Sequence, residues 1–165
     1  MKFCPQCGNE LEIAEVDGRP RQRCLSESCN YVFWDNPTPV VGAIVELDGD
    51  VVLVRNRMWP EKVFGLVTGF LEKGETPEEG ILREVREELG LKGKIVDFVG
   101  YYPFFQMNQL ILAFHVKAEG EIVLGEELAE IKSVHPEKLR PWRFGTGYAV
   151  EDWVKTWKAT DSNPG

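Results

Sequence analysis

The stretch from Gly69 to Leu91, GFLEKGETPEEGILREVREELGL, constrains this chain more than any other. Thr76 reads as a helix N-cap, Pro77 as the first helical residue, and Glu79 as the partner that completes a capping box. Gly90 reads as a left-handed C-cap. At about 100° per residue, Ile81, Leu82, Val85 and Leu89 share one apolar quadrant that must face a core. Glu84, Glu87 and Glu88 fall together on the neighbouring face, spaced i, i+3, i+4, so their carboxylates converge. Like charges that close destabilise a helix unless something neutralises them. Mg²⁺ or Mn²⁺, hard cations that prefer carboxylate oxygens, would do so. Arg83 is placed to orient one carboxylate by a bidentate contact. Gly80, one turn before Glu84, costs helix stability and leaves room for a bulky ligand. A glutamate-rich helix face by itself usually meets only solvent. Here a tight polar loop carrying Gly69, Gly74 and Glu75 leads straight into it.

Around this segment the pattern is mixed α+β. Val40 to Leu47 and Val51 to Val54 are apolar, β-branched runs, and Asp48-Gly49-Asp50 between them signals a hairpin. Further strands are expected at Val63 to Val67, Ile95 to Tyr101, Leu110 to Val116 and Ile131 to Val134. Val150, Trp153, Val154 and Trp157 repeat at i, i+3, i+4, i+7, which predicts a closing helix from Tyr148 to Trp157. Residues 30 to 39, NYVFWDNPTP, read as a connector. The division expected is a cysteine-bearing module over residues 1–36, a main domain over 37–160 and a disordered tail over 161–165.

Cys4, Cys7, Cys24 and Cys29 all lie in the first module, which is too short to build a core and needs a staple. Cys4-Pro5-Gln6-Cys7-Gly8 has the form of a zinc knuckle, and the CX4C pair at Cys24 and Cys29 completes four thiolates. Four protein ligands leave Zn²⁺ no open position, so its expected role is structural. Zinc ribbons also bind nucleic acid, and Arg19, Arg21 and Arg23 alternate on a short strand. The formal net charge of −8 argues against that use, because nucleic acid and anionic membranes attract basic surfaces. No apolar run has the length of a membrane span. The start, Met1-Lys2-Phe3-Cys4-Pro5, lacks the apolar core of a signal peptide, so a cytoplasmic location is expected.

The 23-residue segment resembles the Nudix box, GX5EX7REUXEEXGU, at every specified position: Gly69, Glu75, Arg83, Glu84, Val85, Glu87, Glu88, Gly90 and Leu91. The resemblance implies an α/β/α sandwich around a mixed sheet, preceded here by a small N-terminal zinc ribbon. It implies a pyrophosphohydrolase that cuts a nucleoside diphosphate linked to another moiety and releases a nucleoside monophosphate. By position, Glu84, Glu87 and Glu88 would hold Mg²⁺ or Mn²⁺, Arg83 would orient a carboxylate and Glu75 would anchor the loop. The general base would be Glu87, Glu88 or an acid outside the box. Glu130 is the candidate there, with Glu126 and Glu127 competing.

A zinc ribbon ahead of such a domain is similar to the NADH pyrophosphatase group. That group carries an array after the box, SQPWPFPXSLM. Here Tyr101 to Ile111 keeps Pro103 and an aromatic at Phe104 but not the opening Ser-Gln, the later prolines or the closing Ser. Phe104, Phe105 and Gln109 are the expected substrate contacts, with an NAD(H)-like dinucleotide or ADP-ribose favoured. The expected partner is therefore a small nucleotide derivative. No membrane is expected, nor nucleic acid other than as a capped substrate, and the resemblance implies a homodimer. The competing functions are a catalytically inactive nucleotide-sensing domain and a zinc-ribbon nucleic-acid-binding module.

Overall fold

The structure, a computed structural model, describes residues 1–161 and divides into a unit spanning Met1–Asn36 and a second from Pro37 on. Of the expected tail at 161–165, Asp161 ends the last helix and 162–165 lie outside the described residues.

The first unit is a three-stranded antiparallel sheet, β1 (Leu11–Val16), β2 (Arg19–Cys24) and β3 (Val32–Phe33), in the order β1-β2-β3. Asp17 and Gly18, both with positive φ, turn β1 into β2. Part of the expected connector, Val32–Phe33, is thus a strand. Its core consists of buried Cys4, Cys24 and Cys29 with Leu11 and Tyr31 packed against them. A core so small cannot hold a fold by apolar burial alone.

The second unit is built on six strands: β4 (Thr38–Leu47), β5 (Asp50–Asn56), β6 (Val67–Phe70), β7 (Lys92–Phe104), β8 (Gln109–Glu119) and β9 (Leu128–Val134). Their order is β7-β8-β4-β5-β9. β4 pairs β8 in parallel, and its opposite edge is shared by β6, along Val40 to Ala43, and β5, along Val45 to Leu47. α1 (Pro77–Leu89) and α2 (Gly147–Asp161) complete the unit.

Alternation along the strands sorts the apolar side chains into two layers. Val41, Ala43, Val45, Val52 and Val54 pack with Ile81, Val85 and Leu89 of α1. Ile44, Val51 and Leu53 pack with Val150, Trp153 and Val154 of α2. A sheet buried on both faces needs such continuous apolar runs, which is how β4 and β5 read. The result is a mixed-sheet α/β/α sandwich.

One expected strand is displaced. Residues 63–66 belong to a loop, because Val63 closes a turn on the Pro60 carbonyl (3.2 Å). Gly65 bridges only Val54, and pairing with β4 begins at Val67. β9 starts three residues earlier than its apolar run suggests, since Leu128 already pairs Asn56.

Candidate functional site: an acidic cleft beside an apolar cavity

α1 begins as its sequence dictates. Thr76 Oγ1 accepts from the Glu79 N–H (3.2 Å), and Glu79 Oε2 accepts from the Thr76 N–H (2.8 Å). Gly90 ends the helix at φ 69°. Arg83, at the middle of the helix, gathers the surrounding acids. Its Nε and Nη2 donate to the two oxygens of Glu75 (3.1 and 2.7 Å), and its Nη1 donates to Glu84 (2.6 Å) and Glu87 (3.1 Å). Nη2 also donates to the Phe70 carbonyl (3.1 Å), which ties β6 to the helix. Glu75 further accepts from the Glu72 N–H (2.8 Å), so the loop closes on this one guanidinium. The Arg83 bonds, then the Glu72 N–H, hold the Glu75 carboxyl down to about 2.

The cleft above this network, about 620 Å³, is lined by β6, α1 and the segment before β9. Among the described residues its lining carries six glutamates, at positions 72, 84, 87, 88, 126 and 127, against the single cation Arg83. Burial, then the charge of Glu84, pushes Glu88 up to about 8. Burial likewise raises Glu84, against the pull of Arg83. Glu88 Oε2 is buried with no hydrogen-bond partner. A buried, unsatisfied carboxylate oxygen among like charges is costly unless a cation completes it. The donor set, all hard oxygens, fits Mg²⁺ or Mn²⁺.

Two glycines shape this site. A Cβ on Gly69 would collide with the Glu84 carboxylate, which lies directly on the β6 backbone. A Cβ on Gly125 would come within 2.5 Å of the Glu87 carbonyl. That close approach lets Gly125 N–H reach the Glu88 carbonyl (2.8 Å), while Val123 N–H reaches that of Leu89 (2.9 Å). The loop thus satisfies the open carbonyls at the helix end and delivers Glu126 and Glu127 to the cleft.

Gly80 serves a different purpose from the one expected. A Cβ there would meet Glu75 Oε1 at 2.9 Å and Leu71 at 3.1 Å, so its absence makes room for the anchoring loop, not for a ligand.

Glu130 is not brought to the cleft. Its carboxylate accepts from Arg55 Nη2 (2.9 Å) in a separate hollow lined by β5, β9 and the loop after β5. The reason is a register shift between Arg55 and Asn56. It leaves both Leu128 and Ile131 packed in the α1 layer, so Glu130 points to the other face. Among the described residues, the acids from beyond the 69–91 segment that line the cleft are Glu126 and Glu127.

Val40, Thr68 and Gln109 line both this cleft and a second cavity of about 360 Å³. Phe104, at the end of β7, lines the second cavity as well. Phe105 does neither: it begins a 3-10 turn over Phe105–Met107 and is 85% exposed. Trp59, Trp142, Phe144 and Thr146, which no motif marks, are among the other residues of the cavity wall. They come from two segments more than 80 residues apart, the loop after β5 and the stretch before α2, so no local pattern announces them.

In the first unit, the ligand atoms of Cys4, Cys7, Cys24 and Cys29 all lie within 4.8 Å of one another. The Sγ separations of 3.7 Å (Cys4–Cys29) and 3.5 Å (Cys7–Cys24) compare with about 3.8 Å for the edge of a tetrahedron of ~2.3 Å zinc–sulfur bonds. The backbone N–H and side-chain amide of Asn9 lower the Cys7 thiol to about 6, whereas burial and the neighbouring thiols raise Cys24 and Cys29, so the metal fit rests on the geometry of the four sulfurs. The cluster fits a structural Zn²⁺. On β2, Arg21 lies over the Trp34 ring (4.8 Å) and donates to the Trp34 carbonyl, so the middle of the arginine strip is bound within its own unit.

Residues 36–152 match the NUDIX domain family, and residues 2–35 match the family described as Nudix N-terminal, a zinc ribbon. An NAD-capped RNA hydrolase of Homo sapiens is 34% identical over an alignment of 119 residues that covers 67% of this chain and 25% of that protein. The NAD-capped RNA hydrolase NudC of Pseudomonas putida is 28% identical over 150 residues, 90% of this chain and 53% of that protein. The chain therefore spans between a quarter and about half the length of these relatives. Among solved structures, a NUDIX hydrolase from Nitrosomonas europaea superimposes with a TM-score of 0.81 at 26% identity, covering 96% of this chain and 93% of that one. An ADP-ribose pyrophosphatase from Streptococcus suis shares the fold alone, with a TM-score of 0.62 at 15% identity over 74% of this chain and 93% of that one.

Proposed function

The chain belongs to the Nudix hydrolase family, and on that premise we propose that its acidic cleft is a metal-dependent pyrophosphohydrolase site. The substrate is a nucleoside diphosphate linked to another moiety, an NAD(H)-like dinucleotide or ADP-ribose, and one product is a nucleoside monophosphate. The observation that carries this reading is the unsatisfied, buried Glu88 Oε2 among the other cleft glutamates, beside a second cavity able to take the rest of a nucleotide. The activities for which the human and Pseudomonas relatives are named favour the NAD-like substrate, including the capped end of an RNA.

Glu84, Glu87 and Glu88 would hold Mg²⁺ or Mn²⁺. Bound there, such ions offset phosphate charge and lower the pKa of the attacking water. Arg83 pre-orients Glu84 and Glu87 by its hydrogen bonds, so the carboxylates need little reorganisation on binding. Glu75 holds Arg83 in that position. Glu127 lies near enough to Glu84 and Glu88 to raise both, and its carboxylate is the acceptor for the proton released by water. Gln109 spans the junction of the two cavities and contacts the substrate between pyrophosphate and base. In the first unit the four cysteines would hold Zn²⁺ in a folding role. The protein acts in the cytoplasm as a homodimer.

The test is a panel of NADH, NAD⁺, ADP-ribose, FAD, diadenosine polyphosphates and nucleoside triphosphates with Mg²⁺ or Mn²⁺. At least one diphosphate-linked member yields a nucleoside monophosphate, and Glu88→Gln abolishes that product while the fold stays intact. Normal turnover by Glu88→Gln would remove the metal assignment.

A further inference from the structure

Glu127 lies outside the helix whose geometry directs Glu84, Glu87 and Glu88. The Leu128 N–H donates to the Gly125 carbonyl (3.2 Å), which closes a turn with Glu126 and Glu127 at its two corners. Both acids are exposed, so packing does not steer their side chains. Their direction depends on how the backbone of the turn is held. On one side the Gly125 N–H ties it to the Glu88 carbonyl (2.8 Å) at the end of α1. Beneath it Leu128, 2% exposed, packs in the α1 layer.

The other side is held by a residue that no motif includes. Arg57 is the first residue after β5. Its backbone N–H donates to the Glu127 carbonyl (2.9 Å), and its Nε donates to the next carbonyl, that of Leu128 (3.1 Å). The strand pairing explains why a side chain is needed there. Arg55 stands opposite Glu130 and Asn56 opposite Leu128, so Ala129 is the extra residue of a bulge. A bulge disrupts the ladder beside the extra residue, and Arg57 reaches across with its side chain at that point. Arg57 is in turn held by its own chain. The Trp59 N–H donates to the Asn56 carbonyl (3.0 Å) and the Met58 N–H to Asn56 Oδ1 (2.9 Å), a second turn with Arg57 at its first corner. The planar guanidinium fixes the direction of its Nε–H, so the bond sets orientation as well as distance.

We infer that Arg57 is a positioning residue for the proposed reaction, holding the turn so that the Glu127 carboxylate stays at the cleft with Glu84 and Glu88. This rests on the reading of Glu127 as the acceptor of the proton from water. Arg57 lines neither the cleft nor the second cavity, so it acts through Glu127 and not on the substrate. Without its Nε bond the turn keeps the anchor at α1 and is loosened at β5, which lets Glu127 swing about Gly125. A misplacement near 1 Å costs on the order of 100-fold at a positioned group. The backbone bond of Arg57 survives any substitution, so the expected loss is smaller, about tenfold in kcat.

The experiment uses the full chain. Arg57→Met keeps the stem of the side chain and removes the donor, while Arg57→Lys retains a donor. Arg57 is exposed, so neither change opens a cavity in the core. Hydrogen–deuterium exchange reads the hold without any need of activity: in Arg57→Met the amides of residues 123–128 exchange at least tenfold faster and those of α1 do not. With Mg²⁺ and the diphosphate-linked substrate that the parent cuts best, Arg57→Met lowers kcat about tenfold with KM within threefold, and Arg57→Lys recovers at least threefold of that loss. In a Glu127→Gln background the same Met substitution changes kcat less than twofold, because the carboxylate it positions is gone. A merely structural role would instead multiply the two losses. Faster exchange in Arg57→Met, with no hydrolysis of any nucleotide by the parent, sustains the hold on the turn and sinks the reaction. Hydrolysis by the parent with kcat unchanged in Arg57→Met, or with losses that multiply in the double variant, overturns the positioning role and leaves the reaction standing. Unchanged exchange overturns it in either case.

Discussion

Gly69 offers the sharpest test of how the cleft is held. It lies on β6, opposite Val41, with an ordinary negative-φ backbone, so alanine brings no conformational strain of its own. What it brings is a methyl group. That methyl would stand 2.5 Å from Glu84 Oε2 and closer still to Glu84 Cδ and Oε1, where ordinary van der Waals contact begins at 3.4 Å. The carboxylate must retreat by about 1 Å or more, and its 2.6 Å bond to Arg83 must stretch or draw the guanidinium after it. Overpacking of this kind costs about 1–3 kcal/mol. At about 2–4 °C per kcal/mol for a chain of this size, Gly69→Ala melts roughly 2–12 °C lower than the parent. Activity suffers more than stability, because a misplacement near 1 Å costs on the order of 100-fold in a positioned site. The assay pairs a melting curve with kcat at saturating substrate and a Mg²⁺ titration of the rate. The variant stays folded at 25 °C, kcat falls about 100-fold, and half-saturation by Mg²⁺ moves to higher concentration. A folded Gly69→Ala enzyme with parental kcat and metal dependence would refute the claim that Glu84 is wedged against β6 and works from there.

The acids outside the box separate cleanly by substitution. Glu127→Gln lowers kcat about 100-fold or more, the loss of a general base, whereas Glu130→Gln leaves kcat within threefold; the reverse result in steady-state kinetics would return the role to Glu130. Acid titration probes the loop latch. Glu75 has its folded carboxyl depressed to about 2, so the stability it contributes is present above the unfolded value near 4.5 and is lost as pH falls from there toward 2. Glu75→Gln should therefore flatten the acid limb of a melting-temperature profile, and an unchanged limb would contradict the latch. Zinc chelation at pH 7 should release one Zn²⁺ per chain and shift Trp34 fluorescence as the first unit opens. Release of no zinc, measured with a colorimetric chelator, would end the zinc assignment.

The parts of the fold that could be read in the sequence are those whose causes are local. A capping box, a proline at the first turn and a glycine at the end define α1 through contacts within four residues of one another. The i, i+3, i+4 spacing then brings Glu84, Glu87 and Glu88 to one cleft, since helical geometry leaves them no choice. Burial on both faces is visible as the unbroken apolar runs of β4 and β5. The four cysteines announce their cluster because the ribbon has too little else to bury.

Other features depend on contacts between distant segments. Whether Glu127 or Glu130 reaches the cleft turns on one extra residue in the β5–β9 pairing, and a bulge leaves no trace in hydrophobic alternation. Gly80 looked like space for a ligand, but the loop residue Glu75 folds back into that space. Phe104 and Phe105 are neighbours of the same type, and only the turn after β7 decides that the first lines a cavity and the second meets water. Sequence by itself determined the metal-attracting helix, the layered mixed sheet and the cysteine staple, because each follows from short-range geometry or from composition. Tertiary structure alone decided which outside acid joins that helix, and that Trp59, Phe104, Trp142 and Phe144 form one cavity. The reason is physical: a side chain's direction at a bulge or loop is set by its partner strand, and that partner lies tens of residues away.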